Sequence, residues 1–197
     1  MKHAIRAGLA AAALGLALTA IPRLAAADGD DTALTNLVAL ASQRLALAEP
    51  VARWKWANGK PIEDPPREAA LLASVEQRAK RAGVDPAVAR AFFEDQIAAS
   101  KDLQQALFDA WRASRPPEGT PPDLATVTRP QLDRLTQKML AGLAQAAPLR
   151  QAPDCQARLA RSIANWQSMT RFDASYAHAL NAALAHVCAG GGASAVG

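Results

Sequence analysis

The sequence predicts an all-α, single-domain bundle of about six helices, with a long kinked first helix and a C-terminal helix pair joined by a disulfide. Three features carry that prediction. Alanine dominates, and neither a run of β-branched residues nor a strand-like alternation interrupts it. Apolar residues recur at helical spacing, and Asp-Pro and Gly signals mark where helices start and stop. The 197 residues, 50% hydrophobic and 20% charged, suit one folded domain and not a disordered chain.

Residues 1–27 read as a signal peptide. Lys2 and Arg6 form a positive start, Ala7 to Ala20 an apolar run, and Ala25-Ala26-Ala27 a small-residue cleavage site. The 16 uncharged residues between Arg6 and Arg23 fall short of the roughly 20 that span a bilayer. The segment carries three of the 22 basic residues and no acid, so its removal leaves 19 basic against 18 acidic and lowers the formal charge from +4 to +1. Such a balance does not support a DNA-coating surface, and neither nucleic acid nor a membrane is an expected partner of the exported, periplasmic or secreted, chain. Export also makes a disulfide the expected state of Cys155 and Cys188.

In the mature domain, 28–197, Asp30, Asp31 and Thr32 open a first helix that continues to about Ala57. Leu34, Leu37, Val38, Ala41, Leu45 and Ala48 form its apolar stripe, and Pro50 kinks or breaks it. Asn58-Gly59-Lys60-Pro61 forces a loop. Asp64 before Pro65 starts a second helix that stops at Gly83, and Asp85-Pro86 starts a third that runs to about Ser114. Residues 115–127 form a proline-rich connector. A fourth helix, capped by Thr128, spans about 129–147, and helices near 154–169 and 173–189 complete the chain. That last antiparallel pair brings Cys155 and Cys188 together, closing a loop of about 34 residues. A flexible tail, 190–197, follows.

The chemistry lies in polar residues on apolar faces. On the third helix Phe93, Ile97, Leu107 and Trp111 share one face, and Ser100 and Gln104 fall in its middle, one turn apart. A buried amide needs a partner, which a structural interhelical hydrogen bond would supply as well as a ligand. On the first helix Arg44 and Lys55 lie on one edge of the stripe, about 16 Å apart along an ideal axis, and could bracket a small dianion; a solvated face is the plainer alternative. Arg67, in the first turn of the second helix, opposes the helix dipole, which a bound anion or Asp64 would offset. His178 and His186 have no carboxylate or cysteine at ligand spacing on their helix, so no metal is expected. Trp56 is expected to pack into the bundle.

Taken together, Arg44, Lys55, Asp64-x-x-Arg67-Glu68 and Ser100-x-x-x-Gln104 resemble the all-helical chorismate mutases. The resemblance runs from Leu34 to Trp111 through RLALAEPVARWKW, GKPIEDPPRE and FFEDQIAASKDLQ. The signal peptide, extra C-terminal helices and cysteine pair are similar to the exported, gamma-type subclass. The resemblance implies that Arg44 and Arg67 bind the substrate's carboxylates, that Lys55 contacts a carboxylate and the ether oxygen, and that Gln104 donates to the same oxygen. It implies that Asp64 and Glu68 hold the ring hydroxyl, that Ser100 positions a carboxylate, and that an arginine after the connector, Arg129 with Arg134 as the fallback, completes the pocket within one chain. It also implies a homodimer.

Conversion of chorismate to prephenate is an intramolecular rearrangement and requires no nucleophile, metal or cofactor. Paired cations would select the compact conformer, while Lys55 and Gln104 would stabilise charge growing on the ether oxygen. Two rivals share the cations: an exported helical binding protein for a small dicarboxylate, and an isochorismate pyruvate-lyase on the same fold. A binder has no need for a donor at Gln104.

Overall fold

The computed structural model describes residues 31–188 apart from Pro116 and Arg171. The expected signal peptide and C-terminal tail lie outside the described residues. Eight α-helices and one π-helical turn are present among the described residues, and no strand. They are α1 (Thr32–Ala46), α2 (Ala48–Ala57), α3 (Pro65–Ala82), α4 (Pro86–Ala113), the π turn (Leu124–Thr128), α5 (Arg129–Gln145), α6 (Ala147–Arg150), α7 (Cys155–Thr170) and α8 (Ala174–Ala182).

The kinked first helix is α1 plus α2, broken at Leu47. Pro50 has no N–H to offer the Ala46 carbonyl and its ring crowds that oxygen, so the chain yields just before α2. α3 starts as its sequence dictates. The Asp64 carboxylate accepts from the Arg67 N–H at 3.3 Å, and Glu68 Oε1 accepts from the Asp64 N–H at 3.3 Å, a reciprocal cap. Gly83 ends α3 with φ +72°, a left-handed conformation that favours glycine. Asp85 caps α4 through the Ala87 N–H at 2.8 Å.

Three boundaries differ from the expectation. Thr128 does not cap α5. It is itself helical, and the cap lies five residues earlier, where Asp123 accepts from the Thr126 N–H at 2.7 Å and its hydroxyl at 2.8 Å to start the π turn. The fourth helix ends at Gln145, and Pro148 sits inside the separate short α6. The last helix ends at Ala182 and not near 189. Side chains elsewhere in the fold capture its next backbone groups: Gln96 donates to the Ala183 carbonyl, Asp95 accepts from the His186 N–H, and Arg150 donates to the Val187 carbonyl.

α4 is the spine of the bundle and packs against α1, α2, α3 and α8, while α1 also packs against α5 and α7. One core holds Leu34, Leu37, Val38, Leu45, Phe92, Phe93, Met139, Leu143, Leu180 and Leu184. A smaller cluster at the far end of α4 joins Trp56, Phe108 and Trp111, with Trp56 edge-on to Phe108 at 5.0 Å. α1 and α5 approach closely at Gly142, where a Cβ would stand 2.9 Å from Leu37 Cδ2. Cys155 and Cys188 form the expected disulfide, their Cα atoms 5.8 Å apart. Among the described residues no helix is long and apolar enough to cross a membrane.

Candidate active site

A cavity of about 120 Å³ opens between α1, α2, α3, α4 and α5, roofed by the π turn. Arg44, Lys55, Asp64, Arg67, Glu68, Ser100, Gln104 and Arg129 all line it. Arg134 does not; it lines a separate hollow with Gln43, Gln131 and Lys138. The break at Leu47 makes straight-helix arithmetic inapplicable to Arg44 and Lys55, yet both reach the cavity, one from the end of α1 and one from the end of α2.

Arg44 is 5% exposed. Its Nη1 donates to the Gln96 main-chain carbonyl at 3.3 Å, and its Nε has no hydrogen-bond partner. Burial pushes its pKa down to about 10, so it stays charged at neutral pH. Lys55 donates to the Ile62 carbonyl. Burial lowers its pKa as well, against the opposing pull of Asp64, Glu68 and Glu63. Gln104 is 3% exposed; its Nε2 donates to the Ser100 carbonyl at 3.0 Å and to Ser100 Oγ at 3.2 Å, while Oε1 has no partner.

The rim is better paired. Arg67 reaches Asp133 of α5 at 3.8 Å. Lys101 bridges Glu68 at 3.2 Å and Glu63 at 2.9 Å, and those bonds, the Glu63 one foremost, raise its pKa. Five cations (Arg44, Lys55, Arg67, Lys101, Arg129) and three carboxylates (Asp64, Glu68, Asp133) therefore line the cavity, a formal +2. Among the described residues, no carboxylate lies within 4.0 Å of Arg44, Lys55 or Arg129. An apolar wall of Leu47, Val51, Ile62, Leu71, Ile97, Leu124 and Leu132 completes the cavity. Such a site suits a small dianion with an apolar body.

Proteins of nearly the same length resemble this chain. The chain is 36% identical over 185 residues to the secreted chorismate mutase of Mycobacterium tuberculosis, with 90% of this chain and 91% of that one aligned. The chain belongs to the chorismate mutase family. It is 33% identical to the secreted chorismate mutase of Mycolicibacterium smegmatis, covering 91% of this chain and 99% of the relative. Residues 34–105 match the family model described as chorismate mutase type II. The crystal structure of chorismate mutase from Burkholderia thailandensis superposes with a TM-score of 0.78 at 72% identity, over 80% of this chain and 99% of that one. Like these secreted relatives, this chain is an exported protein.

Three of the residues that sequence reasoning missed, Gln96, Asp133 and Thr136, carry the same signal as those it found. Gln96, wholly buried, lies one turn before Ser100 on α4, and its main-chain carbonyl holds Arg44. Asp133 and Thr136 fall four and seven residues after Arg129, one face of α5 by helical spacing. Reading α5 by face, as α4 was read, would have found both. Lys101 carried no such signal, because its partners Glu63 and Glu68 lie on another element.

Proposed function

We propose that this protein converts chorismate to prephenate, and that the eight cavity residues named above do the work. The observation that carries the reading is a cavity of formal charge +2 in which, among the described residues, no carboxylate lies within 4.0 Å of Arg44, Lys55 or Arg129. A buried cation without a counter-ion is costly, and a dicarboxylate supplies the missing charges.

Arg44, Arg67 and Arg129 bind the two carboxylates and hold the substrate in the compact conformer, which moves the entropy cost of reaction to the binding step. Lys55 and Gln104 act on the ether oxygen. Negative charge grows there only as the C–O bond breaks, so donors aimed at it favour the transition state over the ground state. Gln104 faces that task with a carboxamide: on substrate binding one of its two N–H groups exchanges Ser100 Oγ for the ether oxygen, and it donates at any ordinary pH. Ser100 fixes the amide and positions a carboxylate. Asp64 and Glu68, joined by the bond from the Asp64 N–H to Glu68 Oε1, take the ring hydroxyl, and Lys101 holds Glu68 in place. The rearrangement moves bonds within one molecule, so no proton, metal or redox partner enters its balance.

The homodimer implied by the resemblance belongs to this proposal too. One chain supplies every residue invoked, so the dimer would serve stability and not complete the pocket. Sedimentation of the mature protein tests it: a single monomeric species at micromolar concentration would refute it. The activity test is loss of chorismate absorbance on adding purified protein. Lys55→Ala should lower the rate at least 100-fold, in the range that loss of one transition-state donor costs. No turnover, or equal turnover in the variant, overturns the proposal.

A further inference from the structure

Among the described residues, the proline-rich strap between α4 and α5 is fastened to α2 upstream of the π turn. Arg53 of α2 donates through one nitrogen, Nη2, to the Glu118 carbonyl at 2.8 Å and the Gly119 carbonyl at 3.1 Å. Gly119 has φ +86°, a conformation that suits glycine, and it turns two successive carbonyls toward the same donor. Four residues later Asp123 caps the π turn, with its carboxylate held below the ordinary range by the Thr126 N–H and hydroxyl. Beyond the cap, Leu124 is 6% exposed and lines both the cavity and an outer hollow bounded by Trp54, Lys60 and Glu63. Arg129 lines the same two spaces. The strap thus delivers both the roof of the cavity and one of its cations.

Arg53 does not line the cavity. It lies two residues before Lys55 on α2, so one short helix both aims Lys55 inward and holds the strap. We propose that Arg53 is a positioning residue for the mutase reaction, acting through the Glu118 and Gly119 carbonyls to set Leu124 and Arg129 over the substrate. The planar guanidinium suits this task, since its donors are fixed relative to one another. The inference rests on the proposed function, and on Arg129 as a carboxylate ligand.

Steady-state kinetics with chorismate test it. Turnover by the wild-type protein comes first, and its absence would count against the functional reading and not against the strap. Given turnover, Arg53→Met should lower kcat/KM by about 10- to 100-fold, the scale on which a misplaced contact acts. The loss should divide between kcat and KM as it does in Arg129→Ala. The double variant should be no slower than Arg129→Ala alone, because Arg53 acts through the group already removed. Arg53→Lys, which keeps a donor, should recover part of the rate. Gly119→Ala probes the strap side: it strains φ, while its new Cβ meets nothing nearer than Arg53 Nη2 at 3.9 Å, and it should lower kcat/KM in the same direction. Full activity in Arg53→Met, or losses that multiply in the double variant, would overturn the proposal. So would failure of both Arg53→Met and Arg53→Lys to fold, which would make Arg53 a residue of the fold alone.

Discussion

The Arg44 guanidinium touches the main-chain carbonyl of Gln96 at 3.3 Å, and no carboxylate reaches it among the described residues. Its pKa falls to about 10 because burial disfavours the charged form. For a cation with a depressed folded-state pKa, the cost to stability is fully present below the folded pKa and is relieved only as pH rises from there toward the unfolded value. At neutral pH that cost is on the order of 3 kcal/mol. Arg44→Met keeps the stem, removes the charge and gives up one hydrogen bond from a charged donor, worth about 1.5 to 3 kcal/mol. The variant should therefore melt no lower than wild type while losing chorismate turnover. Thermal denaturation at pH 7 checks this, and a lower Tm would contradict it.

Gln104→Glu should confine activity to acid pH. A carboxylate cannot donate to the ether oxygen and repels the charge growing there, so only the protonated form of the variant works. The wild type, with its neutral amide, should show no acid requirement up to pH 8. A kcat/KM profile from pH 4 to 9 on both proteins decides the matter. Loss of wild-type turnover above pH 6 would remove Gln104 from the donor's role.

Lys55 must be charged to act, and burial already lowers its pKa, so the alkaline limb of kcat/KM should fall below the ordinary lysine value. Asp64 exerts the largest opposing pull. Asp64→Asn removes that pull and should move the alkaline limb to still lower pH, beyond any uniform loss of rate. An unmoved limb would show that another group sets it.

Cys155→Ser should cost about 3 to 4 kcal/mol of stability, from the chain entropy that a loop of about 34 residues no longer loses in the unfolded state. The two cysteines, 2% and 3% exposed, lie among core residues and do not line the cavity. Turnover per folded molecule at 25 °C should stay within about twofold of wild type if pocket and staple are independent. Denaturant titration paired with an activity assay separates the two effects.

Local signals were legible where they were strong. Asp64, Gly83 and Asp85 mark helix ends because a cap is a contact between residues two to five apart, and such contacts are written in consecutive residues. Thr128 misled because a cap-forming residue type is no cap once the preceding residues are already helical, and Asp123 had made them so. The end of α8 was invisible for the opposite reason: Asp95, Gln96 and Arg150 lie far away in the chain.

By itself, then, the sequence determined the helical class, the break that Pro50 imposes on the first helix, the pairing of its two cysteines and the face on which Ser100 and Gln104 sit. Those follow from periodicity within one helix and from the small set of residues that start, stop or staple helices. Only the tertiary structure decided that Arg129 faces the cavity and Arg134 a different hollow, since that depends on how α5 is rotated against α1 at Gly142 and Leu37. It also decided which cations keep carboxylate partners and which do not, because Coulomb's law and burial act through space, between elements far apart in the chain.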